Sequence, residues 1–348
     1  MFIKKLKIQN FRNYDIQEIE FNKNINILYG DNAQGKTNIL EAIFFSSFGK
    51  SFRTSKEKEI IKKGKDFTNI LVEYEKKDRD GKINISLADK KNISINGVKI
   101  KKLSELLGNI NTVIFTPDDI NILKNGPQAR RRFLDMMIGQ LRTNYIFNIN
   151  KYIKTMEQRN NYLKQKAPNS EMLDIWDEKL AEYGSIIYNY RKEFIDKVEE
   201  KIKKIHKEIT NEDIHIKYVS DSFSKENILE KLKRNRSNDI FRGYTSVGIH
   251  RDDFKVFINN EEVNIYGSQG QNRTAILSLK MAELEVINDD IGEYPILLLD
   301  DFMSELDEKR ISNFLKNIQN IQVIITCTRN IQIENSKSYK IREGKVLE

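Results

Sequence analysis

Cysteine is nearly absent. With Cys327 alone in 348 residues, the chain can form no internal disulfide framework and no cysteine-based zinc site. Its three histidines, His206, His215 and His250, lie too far apart to suggest a metal cluster. Long apolar runs are missing too. No stretch reaches the roughly 18 uncharged apolar residues of a membrane span, and Met1-Phe2-Ile3-Lys4-Lys5 does not open like a signal peptide. These absences predict a cytoplasmic protein with no membrane partner. The four prolines, Pro117, Pro127, Pro168 and Pro295, fall at the edges of patterned segments, and no internal repeat, low-complexity tract or flexible linker stands out.

What is present describes a globular chain. A hydrophobic content of 39% with 32% charged residues is far from the composition of a disordered protein, and the length allows two lobes with a substantial core. The net charge of +8 permits a polyanionic partner. Lys, Ile and Asn are abundant throughout, as an AT-rich genome would also produce, so basicity alone leaves the partner open.

The chemistry begins at Gly30-Asp31-Asn32-Ala33-Gln34-Gly35-Lys36-Thr37. This is G-x-x-x-x-G-K-T, the Walker A pattern, whose backbone amides cradle phosphates. An apolar run, Ile25-Asn26-Ile27-Leu28-Tyr29, leads in, and a helical pattern from Lys36 to Phe48 follows. A strand thus delivers the loop, and the positive end of the new helix faces the nucleotide. Lys36 is placed to bridge β- and γ-phosphates and the Thr37 hydroxyl to hold Mg²⁺. Gly30 and Gly35 allow backbone to approach where a Cβ would intrude.

Strand patterns occupy 2–29, 68–75, 83–87, 93–100 (closed by Asn96-Gly97) and 112–115. From Gly126-Pro127 the texture turns helical. One helix is predicted from Pro127, a favoured first helical residue, to about Lys166, and a second from Glu171 to Ile209. The second carries apolar residues in alternating steps of three and four, from Leu173 through Leu180, Ile187 and Phe194 to Ile202. That is a coiled-coil seam, so the pair predicts an antiparallel helical arm, projecting or packed into a helical lobe. Strand character returns at 214–219, 254–258 and at Val263 and Ile265, followed by a helix from about Asn272 to Ile291.

Leu297-Leu298-Leu299-Asp300-Asp301 reads as a Walker B strand, with Asp300 holding Mg²⁺ through water and Asp301 polarising the attacking water. Ser268-Gln269-Gly270-Gln271 stands before a helix. Ser268 suits an ordinary N-cap, but the segment also precedes Walker B by about thirty residues, where ABC-type ATPases carry their signature. Ser304-Glu305-Leu306-Asp307 stands where their D-loop does.

Taken with Asn10-Phe11-Arg12-Asn13-Tyr14, Lys50-Ser51-Phe52-Arg53, Phe115-Thr116-Pro117-Asp118-Asp119, Arg130-Arg131-Arg132-Phe133-Leu134-Asp135 and Gly248-Ile249-His250-Arg251-Asp252-Asp253, the chain resembles the RecF family of recombination and gap-repair ATPases. The resemblance spans nearly the whole chain. It implies an α/β fold: an ABC-type P-loop head with an SMC-like plan, plus a helical lobe bearing the arm. The ATP-binding lobe comes from about 1–110 and 290–348, and the helical lobe from 111–289, with the arm near 127–209 and the signature helix after it. It further implies ATP and Mg²⁺ as cofactors and slow hydrolysis. ATP would lie between two protomers, so that Ser268, Gly270 and Gln271 of one chain face the nucleotide held by Gly30 to Thr37 of the other. The implied partners are duplex DNA and single-/double-strand junctions, a second copy of the chain, and RecO and RecR.

Transporter heads have Glu after the Walker B Asp and His on the strand beyond; here those places hold Asp301 and residues of the Thr326 to Thr328 stretch. A transporter-type subunit and another SMC-like head are the alternatives; Asp301 in place of Glu and the long arm stand against the first, and the second needs far more coiled coil than this length holds. Arg130-Arg131-Arg132 opposes the dipole of a helix start. It is read either as a phosphate-binding cluster or as a set of buried pairs with Asp118, Asp119 or Asp135. The 248–253 stretch is read as organising a lobe interface.

Overall fold

The computed structural model describes residues 1–165, 168–301 and 320–347. The chain divides into two compact units, one formed by 1–119 with 283–348 and the other by 120–282.

The first unit holds two sheets. Strands β1 (Phe2–Phe11), β2 (Tyr14–Glu20), β4 (Thr68–Glu75), β5 (Asp80–Leu87), β6 (Lys91–Ile95) and β7 (Val98–Lys99) form an antiparallel sheet in the order β2-β1-β4-β5-β6-β7. Burial alternates strictly along β4, the mark of a sheet with one covered face. Asn96 and Gly97 both have positive φ, 52° and 83°, which a two-residue hairpin turn demands.

The second sheet runs β15-β14-β3-β13-β12-β8 and comprises β3 (Ile25–Tyr29), β8 (Thr112–Phe115), β12 (Ile296–Leu299), β13 (Val323–Cys327), β14 (Ser336–Arg342) and β15 (Lys345–Leu347). All neighbours are parallel except the β14–β15 edge pair. Strands β8, β12 and β13 are buried at every residue, as apolar runs covered on both faces must be. Between the sheets lies α1 (Lys36–Phe48), touching β1, β4 and β5 on one side and β8 and β13 on the other. Its residues Ile39, Leu40, Ile43, Phe44, Phe45 and Phe48 are buried, each worth roughly 1.5–3 kcal/mol. The parallel pairing of β8 with β12 puts 112–115 in this unit, although the sequence reading assigned it to the helical lobe.

The second unit contains α2 (Ile120–Lys124), α3 (Pro127–Leu141), α4 (Thr143–Leu163), α5 (Ser170–Ile209), β9 (Ile214–Val219), α6 (Lys225–Arg234), α7 (Arg236–Arg242), β10 (Asp253–Ile258), β11 (Glu261–Glu262), α8 (Val263–Tyr266) and the start of α9 (Gln269–Ile291). Strands β11-β10-β9 make a small antiparallel sheet. The predicted single helix after Pro127 is two helices, broken where Arg142 adopts an extended backbone. Val263 and Ile265 lie in a helical turn, not a strand, because the ladder ends after β11. Helices α6 and α7 carry only a short apolar pattern (Ile228 and Leu232 on α6) and were not foreseen.

Helices α4 and α5 run antiparallel: Tyr162 meets Trp176, Arg159 meets Asp177 and Asn144 meets Tyr190. The seam residues Leu173, Leu180, Ile187, Phe194 and Ile202 are buried, and α5 also packs on α6 and β9. The helical pair is therefore the core of this unit.

Buried arginines fasten that core. Arg159, with no exposed surface, donates to Asp177 (2.7 Å), Asp239 (2.8 Å) and the Thr245 hydroxyl (3.0 Å), while Arg236 donates to the other oxygen of Asp177 at 2.6 Å. Removing one member strands buried charge, which costs roughly 3–5 kcal/mol. Arg159→Ala should lose about that much stability, read by urea unfolding through the sole tryptophan, Trp176, next to Asp177 in the same helix. A loss below about 1 kcal/mol, the scale of an exposed pair, would contradict the assignment.

Candidate functional site

Strand β3 ends at Tyr29 and the chain curls through Gly30 to Gly35 into α1. Gly30, Ala33 and Gly35 have φ of 148°, 65° and 116°. The structure adds a reason for the two glycines. A Cβ on Gly30 would fall 2.3 Å from the Ile341 carbonyl oxygen of β14, and one on Gly35 would fall 2.8 Å from the Asn13 side chain. The loop is thus clamped from outside as well as open to a phosphate. Asn13 donates to the Gln34 carbonyl (2.9 Å), the Tyr14 hydroxyl to the Gly35 carbonyl (3.1 Å), and the Glu343 and Gly344 amides to Gln34 (2.6 and 3.1 Å). Lys36 is buried; its ammonium donates to the carbonyls of Gly30 (2.7 Å) and Asp31 (2.8 Å). An ammonium has three N–H donors, so the same group can hold the loop and still meet an anion.

The Walker B strand β12 lies two strands away from β3, with β13 between. Parallel register brings all three C-terminal ends to the loop. There Asp300 Oδ1 accepts from the Thr37 hydroxyl (2.8 Å) and from the Thr326 hydroxyl (2.8 Å), and Thr326 Oγ1 in turn accepts from the Asp301 amide (2.8 Å). Asp301 has a left-handed backbone, φ 49°, which Asp tolerates better than most residues. Burial pushes the Asp300 carboxyl above the ordinary carboxylate range, with the two hydroxyls opposing that shift. Burial thus makes an ionised Asp300 costly, and among the described residues its bonded side-chain partners are the two threonine hydroxyls. The Thr37 and Asp300 oxygens are hard donors that suit Mg²⁺, which takes few protein ligands and completes its shell with phosphate and water. Among the described residues no group of three or more His, Cys, Asp or Glu could hold a metal without such help.

A polar shell joins the 10–14 and 50–53 segments to this site. Arg12 grips Glu41 of α1 with two bonds (2.8 and 2.6 Å), Ser51 donates to Glu41 (2.5 Å), and Arg53 donates to Asn38 (2.7 Å), which donates to Asn13 (2.8 Å). In the sequence alone these residues carry no assigned role. Thr326 was likewise only a place in a pattern; its hydroxyl proves to be the link between the two aspartates.

Ser268, Gly270 and Gln271 lie in the second unit, at the start of α9. Ser268 is exposed and caps the helix reciprocally: its Oγ accepts from the Gln271 amide (3.2 Å) and its own amide donates to Gln271 Oε1 (2.9 Å). That is a capping box. Ser304 to Asp307, which stand where a D-loop does, lie outside the described residues.

In the arginine cluster Arg130 makes a buried pair, but with Asp253 instead of Asp118, Asp119 or Asp135. Arg130 is buried and bonds Asp253 through Nε and Nη2 (2.6 and 2.9 Å), while its Nη1 caps the carbonyls of Ile122, Leu123 and Asn125 at the end of α2. Arg131 donates to the Asp252 carbonyl (2.7 Å), and Arg132 is exposed. Asp135 pairs instead with Arg191 (2.9 Å) and Tyr145. The 248–253 stretch works inside this same unit: His250 bonds Tyr152, and Asp252, whose carboxyl burial pushes up to about 6, bonds Tyr218 and Ser220.

The site's plan has close relatives. The family described as RecF/RecN/SMC N terminal domain matches residues 2–344. A "DNA replication and repair protein RecF" of Clostridium perfringens (strain SM101 / Type A) is 45% identical over 99% of both chains. The chain belongs to the RecF family. A solved structure described as the recombination mediator protein RecF-ATP in the RecFOR pathway superposes with a TM-score of 0.95 at 39% identity, covering 99% of this chain and 96% of that one. An SMC head bound to the C-winged helix domain of ScpA shares the fold, with a TM-score of 0.60 at 17% identity. Membership in the RecF family excludes a transporter-type subunit as the reading of this chain.

The raised Asp300 pKa carries a sign. A carboxyl favoured in its protonated form by the fold contributes stability in acid and loses it as pH rises through the folded value. Asp300→Asn removes the charge and keeps an acceptor oxygen. Without nucleotide or Mg²⁺ it should melt higher than the parent at pH 8, the gain shrinking as the pH is lowered toward 4. An unchanged or lower melting temperature at pH 8 would contradict the buried-charge account.

Proposed function

We propose that this protein is an Mg²⁺-dependent ATPase of the ABC type that dimerises on ATP and binds DNA in replication and recombinational gap repair, in the cytoplasm. The observation that carries the reading is Asp300 joined to Thr37 at the head of α1 and to Thr326 at the end of β13. It puts the Walker A hydroxyl and the Walker B carboxylate on one point, as phosphate-bound Mg²⁺ requires. Relatives named for DNA replication and repair, and a RecF solved with ATP, support the extension to DNA.

In this reading the amides of residues 30–37 and the Lys36 ammonium take the triphosphate, aided by the positive end of α1. Thr37 and Asp300 would hold Mg²⁺, which would supply neutralisation of phosphate charge. Asp301, its backbone fixed through Thr326, orients and polarises the attacking water. Asp is one methylene shorter than the Glu of transporter heads, and with it we expect slow turnover. The Ser268 end of α9 meets the nucleotide of a second copy, adding the dipole of a 23-residue helix. Two ATP molecules then hold a dimer on duplex DNA near single-strand gaps, where RecO and RecR help to load recombinase.

The shared site has a decisive test. Lys36→Ala should fail to bind ATP, and Ser268→Arg should bind ATP but not dimerise. Mixed together they can form one site from the intact P-loop of one chain and the intact Ser268 of the other. ATPase activity should therefore reappear above either variant alone; none in the mixture, even when crosslinking shows mixed dimers, would refute a site shared in trans.

DNA binding should be governed by phosphates. For six neutralised phosphates, affinity should fall roughly thousandfold between 50 and 200 mM salt, with little sequence preference. Mobility shifts on gapped, duplex and single-stranded DNA, with and without ATP, would measure this. A flat salt dependence would contradict it.

A further inference from the structure

The capping box at Ser268 is itself held from outside. Gln271 Oε1 accepts from the Ser268 amide, while its Nε2 donates to Glu212 Oε1 at 2.6 Å. Glu212 lies in the short turn that follows the 40-residue α5 and precedes β9. The turn is fixed: the Glu212 amide donates to Thr210 Oγ1 (3.2 Å), and the Asp213 amide and carbonyl bond Asn259 at the end of β10 (3.1 and 2.9 Å). Asn259 also reaches Glu212 Oε1 at 3.5 Å. One turn earlier α5 meets α9 again, where buried His206 bonds Ser278 at 2.8 Å.

An ordinary capping glutamine needs none of this. The N-cap bond only requires Gln271 Oε1; its Nε2 could remain in water. Here a carboxylate takes that Nε2 in a charge-assisted bond, which is stronger and more directional than a neutral one. The amide group of Gln271 is thereby fixed in plane, and with it the direction of the Ser268 amide and hydroxyl.

We propose that Glu212 is a positioning residue for the signature end of α9. Through Gln271 it sets the geometry that Ser268 presents to the second copy's nucleotide, and it ties that geometry to the end of α5. This rests on the trans site proposed above. A misplacement of about 1 Å near the chemistry can cost roughly 100-fold in rate.

The test compares variants by turnover, ATP affinity and complementation. Glu212→Ala should lose roughly 10- to 100-fold in kcat, with ATP affinity of the isolated protomer unchanged within about twofold. Glu212→Gln, which keeps an acceptor oxygen, should retain most activity. Mixed with Lys36→Ala, Glu212→Ala should recover activity; mixed with Ser268→Arg, it should not, because every site then has a faulty signature. Wild-type turnover by Glu212→Ala, or recovery with Ser268→Arg, overturns the proposal. If Glu212→Ala does not fold, the exchanged pair reads the same contact. Gln271→Glu alone should be impaired, and Glu212→Gln with Gln271→Glu, which reverses donor and acceptor, should be restored; failure of that restoration overturns the proposal. Lys36→Ala with Ser268→Arg serves as the control. Its failure sinks the trans site, whereas its success beside a fully active Glu212→Ala sinks only the role of Glu212.

Discussion

The hydrogen bonds that converge on Asp300 are the constraint around which the first unit is arranged. One carboxylate oxygen receives hydroxyls from the first turn of α1 and from the last residues of β13. Both bonds require β3, β13 and β12 to end at the same level, which parallel pairing in this register provides. They also require α1 to leave the P-loop at one angle, which its burial between two sheets secures. The loop glycines then close on fixed surroundings, β14 on one side and the β1–β2 turn on the other. These elements are mostly apolar where they pack, with Asn26, Glu41, Ser46 and Ser47 as buried polar exceptions, and their polar ends meet at the site. The site is the point at which the unit's packing stops.

The second unit solves a different problem with arginine. Its long helices cross polar positions, and Arg130, Arg159 and Arg191 are each buried against carboxylates, with backbone carbonyls as further acceptors for Arg130 and Arg191 and the Thr245 hydroxyl for Arg159. A planar guanidinium with five donors can satisfy several acceptors at once, as Arg130 does for Asp253 and three carbonyls, where lysine could not. Such bonds add less to stability than equal apolar packing would. They do fix which helix faces which.

The site was largely legible because its chemistry is local. Gly30 to Thr37 is contiguous, and Asp300-Asp301 follows an apolar run that can only be a buried strand. Helix α5 was legible from its seam. The rest depended on contacts between distant segments. Nothing in the sequence shows that Arg130 meets Asp253 rather than nearer Asp118 or Asp135, because pairing over 123 residues is set by how α3 packs on β10. Thr326 looks like an ordinary strand residue until β13 is laid beside β12. The break at Arg142 lacks glycine or proline, the usual signals, and Val263 and Ile265 alternate like a strand although no neighbour remains to pair with them.

The order of the strands also says something about synthesis. Strand β3, which delivers the P-loop, is flanked by β13 and β14, both more than 290 residues later in the chain. A ribosome therefore releases the phosphate-binding loop long before anything exists to support it. The second unit, continuous from 120 to 282, can complete its core while the first sheet waits. Pairing over such separations is slow, and its exposed edges are vulnerable in the interval. The nucleotide site as it stands in the fold thus depends on strands that are among the last to be synthesised.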